Sequence, residues 1–192
     1  DGVDDCVNGA QHRIDAGLVD PRRIAIRGGS AGGFTVLSAI TRSAVFTAAS
    51  SCFGVTDLKR LVRTTHKFES HYIGQLIGTQ DIDDPVLDER SPINHIEDIS
   101  VPLLLIQGSE DPIVPAEQAT AMYEALKEAG APVALEVFQG EGHGFRLAAN
   151  IRRRYEAELS FYRQVWKIGG ACSEPDGQSE EETFTVKVEN LH

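Results

Sequence analysis

Short apolar segments alternate with amphipathic stretches along most of this chain. The apolar segments have the length of buried strands, whereas the hydrophobic residues between them recur at the three- and four-residue spacing of helices. Strands that alternate with helices are typical of an α/β fold, in which a mostly parallel sheet has helices on both faces. The predicted strands are 23–27, 46–51, 101–107 and 133–138, and the predicted helices are 4–16, 34–40, 57–63, 67–76, 84–89, 116–129 and 147–168.

The apolar run from Val101 to Gln107 is the clearest of the strands. Uninterrupted hydrophobic residues are typical of parallel strands that are covered on both faces, so we expect this strand at the centre of the sheet. The last predicted helix shows an apolar stripe at helical spacing, formed by Tyr155, Leu159, Tyr162 and Trp166.

The segment 57–100 is less periodic and is interpreted as an insertion or a cap-like region. Aromatic and charged side chains are mixed in its middle part, which is typical of a segment that lines a substrate pocket. A solvated helix with one packed face explains the same pattern, and the sequence leaves both interpretations open. The side chains concerned are His66, Lys67, Phe68, Glu69, His71 and Tyr72.

The end of the chain differs in composition from the rest. Residues 169–182 are rich in Gly, Ser and acidic residues, as flexible linkers are, and 183–188 alternate like an additional strand. We therefore predict that residues 1–168 form the α/β domain portion and that 169–192 form an acidic tail with a terminal strand.

Composition and charge exclude several classes of partner. The chain has 192 residues, 41% of them hydrophobic, and a formal charge of −11, which argues against nucleic acid and anionic membranes as partners because both require a basic face. No apolar run approaches the roughly 18 residues of a membrane span, and no signal peptide opens the chain. The first residue is Asp, which suggests a processed product or part of a longer protein, and we expect a cytoplasmic location.

The three cysteines, Cys6, Cys52 and Cys172, are odd in number and widely spaced. They form no CxxC pair and no Cys/His pattern of metal spacing, so neither a disulfide framework nor a zinc site is predicted. Buried or surface thiols are the simpler interpretation. We expect no metal and no other cofactor.

A serine between glycines follows the first predicted strand, in the stretch Gly28-Gly29-Ser30-Ala31-Gly32-Gly33. The pattern G-x-S-x-G is typical of a nucleophile elbow, a sharp turn from a strand into a helix that holds the serine hydroxyl at its apex. Small flanking residues allow the strand and the helix to pass close to each other. The motif alone is weak because such serines also occur in ordinary turns.

Two further polar residues, Asp111 and His143, each follow a predicted strand as Ser30 does. The carboxyl ends of parallel strands share one edge of the sheet, and the order Ser, Asp, His is that of the α/β-hydrolase fold. His143 would act as the base for Ser30, and Asp111 would orient the imidazole. Asp57 is the rival acid because it also follows a strand. The histidines at 12, 66, 71 and 95 do not follow strands in this way.

Attack on a carbonyl also requires donors for the oxygen that becomes negatively charged. The backbone N–H of Ala31, the residue after the serine, is predicted to be one oxyanion donor. The second donor ordinarily comes from a loop after an earlier strand, and only one strand is predicted before the elbow. The second donor is therefore missing from this sequence.

Several segments resemble the catalytic domain of the prolyl oligopeptidase family of serine peptidases, and within it the acylaminoacyl-peptidase and dipeptidyl-aminopeptidase-like branch. The resemblance covers about residues 1–168 and implies the C-terminal half of an α/β-hydrolase domain. It assigns the catalytic roles to Ser30, Asp111 and His143. The segments that carry it are Gly28-Gly29-Ser30-Ala31-Gly32-Gly33-Phe34, His66-Lys67-Phe68-Glu69-Ser70, Arg90-Ser91-Pro92-Ile93, Gln107-Gly108-Ser109-Glu110-Asp111 and Gly140-Glu141-Gly142-His143-Gly144-Phe145-Arg146.

The resemblance further implies a peptidase that removes short N-terminal units or cleaves small peptides. In this family an N-terminal β-propeller restricts access of large substrates, and a tyrosine upstream of the elbow completes the oxyanion hole. Both are absent from this sequence, so we expect the chain to need the missing N-terminal part of its own protein. Phe53 stands where relatives place an aromatic residue near the substrate pocket. The oligomeric state is left open.

The sequence is consistent with three hypotheses. The first is a serine peptidase that hydrolyses amide bonds through an acyl-enzyme on Ser30, and the second is a carboxylesterase that uses the same three residues. The third is a half-domain that is inactive when isolated, because the strand predicted at 23–27 would expose an unpaired edge.

Overall fold

A parallel sheet of four strands forms the centre of the computed structural model, which describes residues 2–64, 79, 81–168 and 185–191. Each strand pairs with its neighbours in chain order, and all three pairings are parallel. The predicted α/β class is confirmed, and the third strand has both neighbours and is buried throughout. The strands are β1 (Ala25–Gly29), β2 (Ala48–Cys52), β3 (Leu103–Gly108) and β4 (Val133–Phe138).

Helices connect the strands at the positions that the hydrophobic periodicity predicts. The structure also contains a 3₁₀ helix, Pro92–Asp98, before β3. The helix predicted over 67–76 and the mixed aromatic and charged segment around it lie outside the described residues. The α-helices are α1 (Gly2–Asp15), α2 (Ala31–Ile40), α3 (Leu58–Thr64), α4 (Pro85–Glu89), α5 (Ala116–Glu128) and α6 (Ala148–Trp166).

The helices cover both faces of the sheet and bury a separate hydrophobic cluster on each. On one face, Leu37 of α2 and Met122 of α5 pack with Leu105 of β3. On the other face, Phe161 of α6 packs with Ile106 of the same strand. Complete burial of a large apolar side chain stabilises the fold by about 1.5–3 kcal/mol. The hydrophobic clusters on the two faces therefore both help to fix the position of the central strand.

Helix α6 turns a different face toward the sheet than the predicted stripe. Tyr155 and Leu159 are 54% and 50% exposed, whereas Ala157 and Phe161 are completely buried. Of the residues in the stripe, Tyr162 and Trp166 pack against the sheet, whereas Tyr155 and Leu159 lie on a more exposed face.

A bidentate ion pair ties α6 to the first strand. The guanidinium of Arg27 in β1 donates to both oxygens of Glu158 at 2.8 Å. The hydroxyl of Tyr162 donates to the same carboxylate at 3.3 Å. Because Glu158 is almost fully buried, this contact fixes how α6 crosses the sheet behind β1.

Strand β1 lies at an edge of the described sheet. The Ile24 carbonyl accepts from Thr47, and the Ser30 amide donates to Cys52, so the even-numbered residues face β2. Alternate residues of a parallel strand bond to opposite sides, which leaves the backbone groups of the odd-numbered residues of β1 directed away from β2. Within the described residues this is the open edge that the sequence predicts.

The last described segment, 185–191, returns to the sheet without forming the predicted strand. Glu189 forms a single antiparallel bridge with Val133 of β4, and Val186 is buried against α6. The residues 185–188 have no regular secondary structure, so the strand prediction is wrong for these positions, and 183–184 lie outside the described residues. The rest of the predicted linker, 169–182, also lies outside them.

Candidate active site

Ser30 lies at the junction of β1 and α2, in a strained backbone conformation. Its φ of 56° and ψ of −121° are rarely adopted by residues other than glycine, as expected for a nucleophile elbow. The turn depends on glycine because a Cβ at Gly28 would lie 2.4 Å from the Gly32 carbonyl oxygen. The Ser30 side chain makes no capping bond to α2, so its hydroxyl is directed elsewhere.

The Ser30 hydroxyl meets His143, and His143 meets Asp111. The distance from His143 Nε2 to Ser30 Oγ is 2.8 Å, and that from His143 Nδ1 to Asp111 Oδ2 is also 2.8 Å. A carboxylate only accepts, so Nδ1 donates to Asp111 and Nε2 is left to accept from the serine hydroxyl. The Asp111 side chain is fully buried, whereas the His143 side chain is 22% exposed. The structure thus brings together the three residues that the sequence singles out.

Asp111 is held by three donors besides the histidine. Its Oδ1 accepts from the backbone amides of Ile113 and Val114, both at 2.9 Å. Its Oδ2, the oxygen that faces His143, also accepts from the side-chain amide of Gln107 at 3.1 Å. Gln107 is fully buried at the end of β3, and it donates to the Val114 carbonyl as well. These bonds fix both the loop after β3 and the orientation of the carboxylate.

The loop that carries His143 closes directly onto the end of β3. A Cβ at Gly108 would lie 2.3 Å from the Glu141 carbonyl oxygen, so only glycine allows this approach. The buried Glu141 carboxylate accepts from the amides of Arg146 and Leu147 and from the Asn150 side chain. The pKa of Glu141 is lowered, chiefly by the Arg146 amide, because these donors stabilise its charged form. The carboxylate therefore joins the His143 loop to the start of α6.

The backbone amide of Ala31 is the first of α2. The first amides of a helix have no acceptor within the helix, and the chain places this one directly after the serine. This is the arrangement expected of an oxyanion donor. The first backbone hydrogen bond at the start of α2 is donated by the Phe34 amide to the Ser30 carbonyl, at 3.0 Å. The Ala31 amide takes no part in that bond.

Phe53 lies beside His143 at the end of β2. The centres of the two rings are 4.9 Å apart, and the Phe53 ring also meets Phe145 edge-on at 6.0 Å. The side chain is half-buried. The aromatic ring predicted near a substrate pocket is thus in contact with the histidine of the site.

Asp57, the rival acid, is not part of this constellation. Its Oδ1 accepts from the Arg60 amide at 2.9 Å, so it caps the start of α3. His95 bonds to the Glu89 carbonyl at 2.7 Å, and His12 lies in the last turn of α1. His66 and His71 lie outside the described residues.

Gln107 and Glu141 are supporting residues that sequence reasoning missed. A signal for Gln107 was present, because it is the one polar residue in an otherwise apolar strand. Glu141 stands two positions before His143 in the loop and gave no comparable signal. In the part of the chain that the structure describes, no group of His, Cys, Asp and Glu is arranged to hold a metal ion. None of the described helices combines the length and the hydropathy that crossing a membrane requires.

Comparison with known proteins finds peptidases that are similar to this chain. The dipeptidyl aminopeptidase BIII of Pseudoxanthomonas mexicana is 29% identical over 183 residues, which are 91% of this chain and 26% of that protein. The acylamino-acid-releasing enzyme of Arabidopsis thaliana is 31% identical over 152 residues, which are 73% of this chain and 20% of that protein. The solved structure of a puromycin-hydrolyzing peptidase from Mycobacterium tuberculosis is 45% identical with a TM-score of 0.84, and covers 88% of this chain and 26% of its own.

The chain thus spans between a fifth and about a quarter of the length of these proteins. The structural match supports the α/β-hydrolase fold, of which the described sheet forms a part. The family model described as the prolyl oligopeptidase family matches residues 1–169. This chain belongs to the prolyl oligopeptidase family.

Proposed function

We propose that this chain carries the catalytic residues of a serine-type peptidase that hydrolyses short peptides through an acyl-enzyme. The observation that supports the proposal most directly is the continuous contact from Ser30 through His143 to Asp111, with both distances at 2.8 Å. This is the geometry that activates a serine hydroxyl, which is a poor nucleophile without an adjacent base.

In the proposed reaction, Ser30 Oγ attacks the carbonyl carbon of the peptide bond, and His143 Nε2 takes the hydroxyl proton. The carbonyl oxygen becomes negatively charged and accepts from the Ala31 amide. When the C–N bond breaks, His143 returns the proton to the leaving amine. A water molecule then attacks the acyl-enzyme by the same route and releases the acid. Asp111 stays ionised and stabilises the imidazolium.

We further propose that the complete site includes polypeptide outside this chain. The chain spans only a fraction of its relatives, and β1 has an open edge within the described residues. An additional strand beside β1 would place a loop next to Ser30, where the second oxyanion donor is needed. We propose that residues 1–168 are the C-terminal portion of a hydrolase domain and that a β-propeller belongs to the same protein.

The substrate is proposed to be a short peptide that the Phe53 ring contacts from one wall of the site. Neither a nucleic acid nor a membrane is a proposed partner, in keeping with the formal charge of −11. We also propose a cytoplasmic location.

The test of this function is a substrate comparison with the full-length protein that contains this chain. Aminoacyl and acyl-aminoacyl amides, puromycin and simple aryl esters are assayed side by side, and steady-state kcat/KM is measured for each. We expect turnover of the amides. Ester turnover without amide turnover would contradict the peptidase proposal and favour a carboxylesterase with the same three residues.

The isolated 192-residue chain is expected to hydrolyse amides at least about a hundredfold more slowly than the full-length protein. Loss of one oxyanion donor costs two to three powers of ten in rate, and the donor proposed to lie outside the chain would be missing. Amide hydrolysis by both proteins is measured under identical conditions, with circular dichroism to establish that the isolated chain is folded. Equal rates would show that this chain contains its complete site.

A further inference from the structure

Arg154 of α6 directs its guanidinium into a group of aromatic rings behind the site. The guanidinium carbon lies 5.9 Å from the centre of the Phe53 ring, 6.0 Å from that of Phe145 and 5.4 Å from that of Tyr155. Cations at about 6 Å or less from a ring centre are attracted by the electrons of the ring. The Nε atom is buried and has no hydrogen-bond partner among the described residues.

The Cys52 thiol is the polar group that this cation meets on β2. Burial raises the pKa of Cys52 even though the positive charge of Arg154 opposes that rise. The thiol is therefore neutral at neutral pH and does not compensate the charge of the guanidinium. Arg154 thus contacts an uncharged thiol on one side chain and the electron-rich rings of Phe53, Phe145 and Tyr155.

Phe53 is close both to this cation and to His143, the partner of Ser30. Its ring centre is 4.9 Å from that of His143. A Cβ at Gly29, the residue before the serine, would lie only 3.0 Å from the Phe53 ring. The same ring therefore supports both the imidazole and the backbone that leads into the elbow.

The backbone of Phe53 is strained, with a φ of 40°. Residues other than glycine keep such a conformation only where the surrounding structure holds it. One restraint is the bond from the Phe53 amide to the Ile106 carbonyl, at 2.7 Å. The others act on the ring, which lies close to His143, Phe145 and Arg154.

We propose that Arg154 is a positioning residue for the reaction. Through its cation–π contact it holds the Phe53 ring against His143, and so keeps the imidazole in the orientation that reaches both Ser30 and Asp111. This inference rests on the proposed function for its kinetic effect, but the contact from Arg154 to Phe53 to His143 can be tested without any activity.

The kinetic test replaces Arg154 in the full-length protein. We expect Arg154→Met to lower kcat for an amide about tenfold, because small displacements of a catalytic base reduce the rate, and to change KM less than kcat, since the Phe53 ring that is proposed to contact the substrate is still present. Arg154→Lys keeps a cation over the rings and is expected to stay within about threefold of the wild type. Arg152→Met is the matched control, since Arg152 is exposed on the same helix and pairs with Glu156.

A double-mutant cycle tests whether the effect passes through Phe53. If it does, Arg154→Met has little further effect on kcat in a Phe53→Leu background, since the intermediate ring is already absent. Additive losses would overturn the proposal. An unchanged kcat in Arg154→Met, or a rise in KM without a fall in kcat, would also overturn it.

An NMR measurement separates this proposal from the proposed function. A ring current from Phe53, whose centre is 4.9 Å from that of His143, is expected to shift the His143 Hε1 resonance, and we expect Arg154→Met, but not Arg152→Met, to change that shift. The resonance is assigned with His143→Gln in protein that carries isotope-labelled histidine. Failure of the wild type to react with a fluorophosphonate would contradict the proposed function alone, whereas an unchanged His143 resonance in Arg154→Met would overturn the positioning role.

Discussion

Replacing Ser30 with alanine is expected to lower kcat for amide hydrolysis by about six powers of ten and to abolish labelling by a fluorophosphonate. The loss is large because the hydroxyl is the group proposed to form the acyl-enzyme, and removal of the nucleophile from such a triad typically costs about this much in kcat. The measurements are amide turnover and the stoichiometry of labelling, both with the full-length protein.

The Ser30→Ala variant is expected to fold normally. The Ser30 side chain makes no capping bond to α2, and its hydroxyl is hydrogen-bonded to His143. Loss of the hydroxyl therefore removes no bond that holds a helix or a strand in place. Ser43→Ala is the matched control, because it removes another partly exposed hydroxyl, one that accepts from the Val45 amide in the turn after α2. This control should keep full activity and labelling. Retention of more than about 1% of kcat by Ser30→Ala would mean that the nucleophile is a different residue.

The local sequence predicts the bounds of some strands better than those of others. The bounds of β4 are those predicted, and the uninterrupted apolar run of β3 is interior as expected. Strand β1, predicted at 23–27, begins and ends two residues later. It ends later because Gly28 and Gly29 continue the pairing with β2. Glycine has a low preference for strands, so local reasoning ended the strand too early. Tertiary packing keeps glycine there because Gly32 approaches so closely.

The orientation of α6 could not be obtained from its periodicity. Hydrophobic residues occur on two faces of this helix, one with Ala157 and Phe161 and one with Tyr155 and Leu159. A 3.6-residue pattern does not tell which face meets the sheet. The ion pair between Arg27 and Glu158 depends on a contact across 131 residues, and it decides the orientation together with the packing of Phe161.

The three central residues of the candidate site were predictable for a topological reason. Ser30, Asp111 and His143 each follow a strand, and parallel strands end at one edge of the sheet. Gln107 and Arg154 were not predictable in the same way. Their importance depends on which side chains converge in space, namely the carboxylate that Gln107 bonds and the rings that surround Arg154.

Replacing Asp111 with asparagine is expected to lower kcat about ten-thousandfold while preserving the fold. The Asp111 Oδ1 accepts from two backbone amides, so the carbonyl oxygen of the new amide is expected to take that place. Its NH₂ group would then face His143 Nδ1, which becomes an acceptor. The imidazole is thereby held in the other tautomer, with Nε2 protonated toward Ser30 and unable to take the serine proton.

Asp57→Asn is the matched control for this change. Asp57 caps α3, and asparagine caps a helix as well as aspartate does, so kcat should stay within about twofold of the wild type. The experiment compares kcat and fluorophosphonate labelling rates for the two variants and the wild type in the full-length protein. An Asp111→Asn variant with more than a tenth of the wild-type kcat, or an equal loss in Asp57→Asn, would contradict the assignment. Because both variants remove one negative charge, a difference of four powers of ten between them would come from the position of Asp111 beside His143 and not from the change in net charge.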